Sequence, residues 1–327
     1  MKCFIGGSGS TGSSVLANVL NRHSEVFCGP ETYLFSKYQL YENWEKYKNE
    51  LIDGRIKSLP WHRFSRTLIT NEAYGWDRSK LRELITYSHF IEEFADEFFR
   101  HAASNLRKKY WIEKTPSNAY GFQDLPEHFP HCFLVHTMRN PYDTIASLNN
   151  RGFSIYYATC LYLVNTCVAL AMRKYKHYIQ VVYEDLVDSP DTEVKALCNQ
   201  LGIKFEPKML KAVDAGFDDD IDSWELSEHD VITAKGLGTF AKASRFVQEE
   251  IVYMINALRL SPYYEKKFQC DVVDIPTICE MMDFSHYEDG GFMNIFQLNI
   301  DRQRDKLIRF FKSYPNFGKK YPVILRV

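Results

Sequence analysis

Apolar residues in this chain come in short blocks separated by polar turns, and the blocks alternate between two lengths. Cys3 to Gly7 is a short, nearly continuous apolar run, which predicts a strand buried on both faces. A glycine- and serine-rich turn follows, and Val15 to Leu20 continue as a helix, so the chain opens strand–loop–helix. Val26 to Cys28 reads as a second short strand. From Tyr33 to Lys109 the pattern becomes helical, charged and aromatic, with polar breaks at Asp53–Gly54 and Tyr74–Asp77. Trp111 to Lys114 reads as a strand ending at Thr115–Pro116, and His131 to Met138 as a longer one. Asn140–Pro141 starts a helix, because proline suits the first helical turn. Ile155 to Met172 is apolar but carries Thr159, Asn165 and Thr166, which favours a buried helix over a membrane span. Ile179 to Tyr183 is again β-rich, and beyond Asp185 the pattern is helix and loop.

Short strands alternating with helices predict an α/β fold, a largely parallel central sheet flanked by helices. We expect one domain over residues 1–327, with a helical insertion at about 36–109 and a helical C-terminal part at about 245–327. Ligands on such sheets bind beyond the carboxyl ends of the strands.

Composition narrows the partners. The chain has 327 residues, 45% of them hydrophobic, enough for a sizeable core. A net charge of -2 and a pI near 6.6 give no reason to expect nucleic acid or an anionic membrane, so any basic pocket must be local. Eight cysteines are scattered without a C-x-x-C pair, several inside apolar runs where cysteine acts as a small hydrophobe. Met1 and Lys2 lead straight into the first strand, leaving no room for a signal peptide. The compartment these features imply is a reducing cytoplasm.

The first turn carries candidate chemistry. Gly7 to Ser14 has the G-x-x-x-x-G frame of a P-loop, with Ser13 where a nucleoside-triphosphate enzyme places its lysine. A glycine-rich turn from strand into helix presents backbone N–H groups at a positive helix terminus, and Ser10, Thr11, Ser13 and Ser14 add hydroxyl donors. The alternative is an ordinary turn with polar capping. The missing lysine disfavours a triphosphate and points to a smaller or differently charged group.

A second constellation lies in His131 to Arg151. Arg139 ends a β-like run at the mouth of the sheet, and Ser147 and Arg151 are four apart on the following helix. Together they form a fork suited to a phosphate monoester, although Arg139 taken alone reads as a surface ion pair.

Taken together, these stretches resemble the family of sulfotransferases that use 3'-phosphoadenosine-5'-phosphosulfate (PAPS), and the arrangement looks closest to tyrosylprotein and bacterial members. The loop and the helix after it match SSVLANVLNRHSEVFCGPET, and the arginine with a serine eight residues later matches MRNPYDTIAS. The lysine-containing turn matches Glu113–Lys114–Thr115–Pro116, and a Tyr-Glu-Asp-Leu segment matches Tyr183 to Leu186. The resemblance covers roughly residues 3 to 36 and 110 to 215. It implies that Thr11, Gly12, Ser13 and Ser14, with Ser10 beside them, hold the 5'-phosphosulfate, and that Arg139, Ser147 and Arg151 hold the 3'-phosphate. Tyr183 would lie near the adenine, or be an ordinary strand tyrosine. Glu31 falls where related enzymes place a general base, against the reading of a helix-terminal glutamate. Lys114 takes an electrostatic role on the leaving group, against that of a solvated strand-end lysine. Ser10 departs from the family, which usually has arginine or lysine there.

The resemblance makes PAPS the cofactor, 3',5'-adenosine bisphosphate its product, and a hydroxyl or amine of a small molecule, saccharide or peptide the acceptor. No metal is required where lysine and arginine supply the positive charge. Lys235–Gly236–Leu237–Gly238 is a basic loop that can close over the cofactor's 3' end. His23, His62 and His136 are reserve bases, with His23 belonging to the helix-ending pattern. Asp218 to Asp222 reads as a solvated acidic turn and Cys270, Cys279 and His286 as core packing, because neither has metal-ligand spacing. Trp44, Trp61 and Trp76 line either an acceptor cleft or a core. Two other readings compete: a P-loop kinase acting on a small substrate, and a non-catalytic protein that binds the bisphosphate.

Overall fold

A computed structural model describes residues 1–35, 43–53, 74–210, 232, 234–288, 300 and 323–325. The sheet-forming runs pair as expected. Strands β1 (Lys2–Gly7), β2 (Val26–Cys28), β3 (Tyr110–Lys114), β4 (Phe133–Met138) and β5 (Tyr178–Val182) form a five-stranded sheet in the order β2-β3-β1-β4-β5, parallel throughout. The first strand is therefore central. Its register sets Ile5 opposite Lys114 on one side and Gly7 opposite Thr137 on the other.

Alternation along β1 sorts the core into two faces. Cys3 and Ile5 pack with helix α1 (Ser13–Asn21) and a later helix, Pro190–Leu201. Phe4, on the opposite face, joins an aromatic cluster built from α2 (Trp44–Asp53), α3 (Arg78–Tyr87) and α4 (Ile91–Asn105). These three helices are the described part of the insertion. Trp44 stacks on Phe94 with centroids 5.2 Å apart, and Trp76 lies 4.2 Å from the His101 ring, so both belong to this cluster's packing. Trp61 and His62 lie outside the described residues.

The other helices follow their local signals. A short helix α5 (Leu125–His128) precedes β4, and α6 (Pro141–Asn150) begins after Asn140, whose side chain accepts from the N–H groups of Tyr142 and Asp143. Helix α7 (Ile155–Ala171) is buried from Ile155 through Leu170, which explains its unbroken hydrophobicity. Among the described residues no helix is long and apolar enough to cross a membrane. Tyr183 opens α8 (Tyr183–Asp188) instead of ending β5, because Glu184 and Asp185 suit a first helical turn. Helices α9 (Pro190–Leu201), α10 (Arg245–Ala257), α11 (Pro262–Lys267) and α12 (Ile275–Met282) complete the described helical set.

The C-terminal part is not wholly helical. Leu258–Leu260 pairs antiparallel with Val323–Leu325, and the buried–half-buried–buried pattern of Leu258, Arg259 and Leu260 has the period of a strand. All eight cysteines lie buried as free thiols. Cys270 and Cys279 sit in the core around α7, and His286 pairs with Asn256 Oδ1 at 2.9 Å. Asp218 to Asp222 lies outside the described residues.

Candidate active site

Five strand ends bring the candidate residues to one rim of the sheet. In strand order they are Glu31 after β2, Lys114 at the end of β3, the glycine loop after β1, Arg139 after β4 and Tyr183 after β5. Adjacent strands lie about 4.8 Å apart, so β3 and β4, flanking the loop, are separated by about 10 Å.

The loop is shaped by three residues with left-handed backbones: Gly9 (φ 84°), Ser10 (φ 56°) and Gly12 (φ 86°). Such a run turns successive N–H groups toward one concavity, an anion nest at the start of α1. Gly12 is the N-cap of α1 and gives it no side-chain cap, which leaves first-turn N–H groups for a ligand. Gly12 is also needed for space, because a Cβ there would lie 2.5 Å from the Tyr183 ring. Thr11 Oγ1 pairs with Thr137 Oγ1 at 2.8 Å, fastening the loop to β4. Thr11 and Ser13 are buried, and Ser14 is half-buried.

On one side of the loop lies an enclosed ion pair. Lys114 Nζ is 2.6 Å from Glu31 Oε1 and donates to Ser14 Oγ at 3.3 Å. Glu31 is 4% exposed and Lys114 5%, so neither the solvated-lysine reading nor the helix-terminal-glutamate reading describes them. Glu31 lies in an irregular segment that adjoining residues fix. Thr32 donates to Glu113 Oε1 through its N–H at 3.1 Å and its hydroxyl at 2.7 Å. Thr115 Oγ1 donates to the same oxygen at 2.7 Å, and Asn118 donates to Glu113 Oε2. Burial pushes the Glu113 carboxyl up while these donors oppose the shift. Tyr74 donates to the Pro30 carbonyl at 2.5 Å, which joins the helical insertion to this segment.

On the other side Arg139 is buried and held by acceptors from three directions. Nη1 donates to the Ser10 carbonyl at 2.9 Å; Nη2 donates to the Gly236 carbonyl and to Thr239 Oγ1 at 3.1 Å. Its guanidinium lies 5.0 Å over the Tyr183 ring, and Asp143 Oδ2 is 3.8 Å away. Its Nε is buried with no hydrogen-bond partner among the described residues. Asp143 accepts from the N–H groups of Gly238 and Phe240, both at 2.8 Å, and so pins residues 238–240 beside Arg139. Burial raises the Tyr183 hydroxyl's pKa, with Arg139 opposing.

The remaining candidates spread unevenly. Arg151 caps the C-terminus of α6 and donates to Ser10 Oγ at 3.0 Å, so two arginines converge on Ser10. Ser147 is half-buried on α6. Lys235 is exposed on a 3-10 turn, Ala234–Gly236, whose Gly236 lies against the Tyr183 hydroxyl. His23 is structural: Nε2 pairs with the Lys204 carbonyl at 2.8 Å, and Nδ1 accepts from the Glu25 N–H. His136 is wholly buried against Tyr178, and burial pushes its imidazole down to about 3, so it stays neutral at ordinary pH. Sequence reasoning missed Asp143, Tyr33 and Glu113. Each lies within four residues of a candidate, and Glu113 and Asp143 fall inside the matched stretches, but no role was read from them.

Comparison with known proteins gives a consistent picture. Residues 3–207 match the profile described as the sulfotransferase family. Protein-tyrosine sulfotransferase A of Caenorhabditis elegans is 23% identical over 262 residues, covering 76% of this chain and 62% of that protein. Nodulation protein NoeE of Sinorhizobium fredii is 24% identical over 230 residues, covering 61% of this chain and 49% of its own length. This chain thus spans less than two thirds of either relative. Two solved structures share the fold, each with a TM-score of 0.53. The sulfotransferase domain of the Synechococcus PCC 7002 olefin synthase is 19% identical, covering 75% of this chain and 88% of that domain. The sulfotransferase domain of the curacin biosynthetic pathway is 18% identical, with coverages of 87% and 98%.

Proposed function

This chain belongs to the sulfotransferase family, and from that premise we propose that it moves a sulfuryl group from PAPS to a hydroxyl or amine acceptor by in-line displacement. PAPS would supply the activated sulfuryl group and depart as 3',5'-adenosine bisphosphate. The residues fit such a donor. A nest of N–H groups with four hydroxyls suits the 5' end, and a buried arginine whose Nε has no partner among the described residues suits a second anion.

The observation that carries the reading is the contact of Lys114 with both Glu31 and Ser14. One ammonium thereby touches the candidate base and the anion loop together. In the proposed reaction Ser10, Thr11, Gly12, Ser13 and Ser14 orient the phosphosulfate. Lys114 opposes negative charge on the leaving oxygen, and Glu31 takes the acceptor's proton. Arg139, Ser147 and Arg151 bind the 3'-phosphate, Tyr183 lies by the adenine, and Lys235 closes over that end. Arg139 and Arg151 both reach Ser10, where the family's usual cation is missing. Lys114, Arg139 and Arg151 provide local positive charge, so we propose that turnover needs no added metal. The eight buried free thiols suit a cytoplasmic setting.

The test is transfer of label from sulfur-labelled PAPS to a panel of hydroxylated small molecules, saccharides and tyrosine peptides. The Caenorhabditis elegans relative is by name a protein-tyrosine enzyme, which puts tyrosine peptides first. Glu31→Gln should lower turnover by about two to four orders of magnitude while leaving bisphosphate affinity nearly unchanged. Full activity in Glu31→Gln would refute the role of this carboxylate, and magnesium-dependent transfer from ATP would favour a kinase.

A further inference from the structure

The Glu31 carboxylate is engaged on both oxygens. Oε1 accepts from Lys114 at 2.6 Å, and Oε2 accepts from the Tyr33 hydroxyl. Glu31 is only 4% exposed, so its two oxygens meet these partners and not bulk solvent.

Tyr33 reaches Glu31 through a backbone that bulky side chains rarely adopt, with φ at 58°. Neighbouring contacts hold it there. Its N–H donates to Thr115 Oγ1 at 3.2 Å, and Thr32 is tied to Glu113. Leu34 and Phe35, next along the chain, are buried in the aromatic cluster. Together these contacts turn the phenol back onto the residue two positions before it.

We propose that Tyr33 holds the acceptor's place on Glu31. Its hydroxyl makes the hydrogen bond that an acceptor hydroxyl must make to the base, keeps water off that oxygen, and yields when an acceptor enters. The proposal rests on the reading of Glu31 as the general base. The chemistry follows from the functional group. A base must lie within hydrogen-bond reach of the proton it takes, and the Lys114 bond leaves Oε2 as the oxygen that receives it. Water at Oε2 would be activated in the acceptor's stead. Its oxygen would bond to sulfur, the sulfur–oxygen bond to the bisphosphate would break, and its proton would pass to Glu31, releasing sulfate without product. A phenol held on that oxygen prevents this loss.

Three measurements on the full chain test the proposal: acceptor KM, sulfate release from PAPS without acceptor, and bisphosphate affinity. Tyr33→Phe keeps the ring and removes only the donor. It should raise acceptor-free sulfate release about tenfold and lower acceptor KM about fivefold, with bisphosphate affinity unchanged. Tyr33→Gly, which suits the left-handed backbone, should move both quantities the same way. In a Glu31→Gln background Tyr33→Phe should add nothing, because the tyrosine acts through the carboxylate. Unchanged KM and sulfate release in Tyr33→Phe, in a protein that transfers sulfuryl groups normally, would overturn the proposal and leave the transferase reading standing. Changes that persist in the Glu31→Gln background would also overturn it. Absence of both transfer and bisphosphate binding in the parent protein would defeat the transferase reading, and this proposal with it.

Discussion

The two flanks of the glycine loop each set a carboxylate beside a cation, and they use it differently. On the β2–β3 flank Glu31 accepts from side chains, Lys114 at 2.6 Å and the Tyr33 hydroxyl. On the β4–β5 flank Asp143 gives its oxygens to the backbone N–H groups of Gly238 and Phe240, and stays 3.8 Å from Arg139. A carboxylate bonded to side chains can exchange partners by rotamer changes. One bonded to backbone fixes a segment of chain. In the proposed reaction the first flank would move a proton and the second would grip a ligand.

Substitutions on each side should separate these roles. After Glu31→Gln, Lys114→Ala should have the largest effect, lowering turnover by roughly a hundredfold to a thousandfold in the label-transfer assay. It would also leave Glu31 buried without its cation, a loss of about 3–5 kcal/mol to be read by chemical denaturation. Arg139→Ala should weaken bisphosphate binding by about ten- to a hundredfold in calorimetry, the scale of losing a charge-assisted hydrogen bond. If Lys114→Ala weakened binding as much as Arg139→Ala does, the division between the flanks would fail.

Between the flanks, Gly12→Ala should disturb the loop itself. The added Cβ would meet the Tyr183 ring at 2.5 Å in a left-handed backbone, and we expect a stability loss of about 1–3 kcal/mol with weaker bisphosphate binding. An unchanged melting curve would show that Tyr183 does not rest on the loop. The last effect concerns neither flank and leaves activity untouched. His136 stays neutral in the fold down to about pH 3 but takes up a proton near pH 6.5 when unfolded. The unfolded state therefore binds more protons between these values. Stability should fall by about 1.4 kcal/mol per pH unit as pH drops through that window, and level off below it. Denaturation curves of His136→Phe across pH 4 to 7 should lack this slope, which separates acid unfolding from the activity profile.

Where the sequence was informative, the signal was local. The glycine loop declared itself because strand, turn and helix follow within a few residues, and the parallel sheet because its strands are short and apolar. Arg139 was visible as a cation closing the run Phe133 to Met138. What stayed hidden depends on contacts across long stretches of chain. The Gly236 carbonyl meets Arg139 from 97 residues away, and no spacing rule anticipates that. The Tyr33–Glu31 bond depends on one left-handed residue that carries no glycine to mark it. The terminal strand pair was missed because three-residue strands leave too short a pattern to distinguish from loop.

In the proposed complex a single nucleotide spans the loop, with its 5' end at Ser10 to Ser14 and its 3'-phosphate at Arg139. Calorimetric titration with 3',5'-adenosine bisphosphate and with 5'-AMP, both without magnesium, tests this directly. The bisphosphate should bind at least about tenfold more tightly, and Arg139→Ala should abolish the difference. Equal affinity for the two nucleotides, or a preference that survives Arg139→Ala, would contradict it.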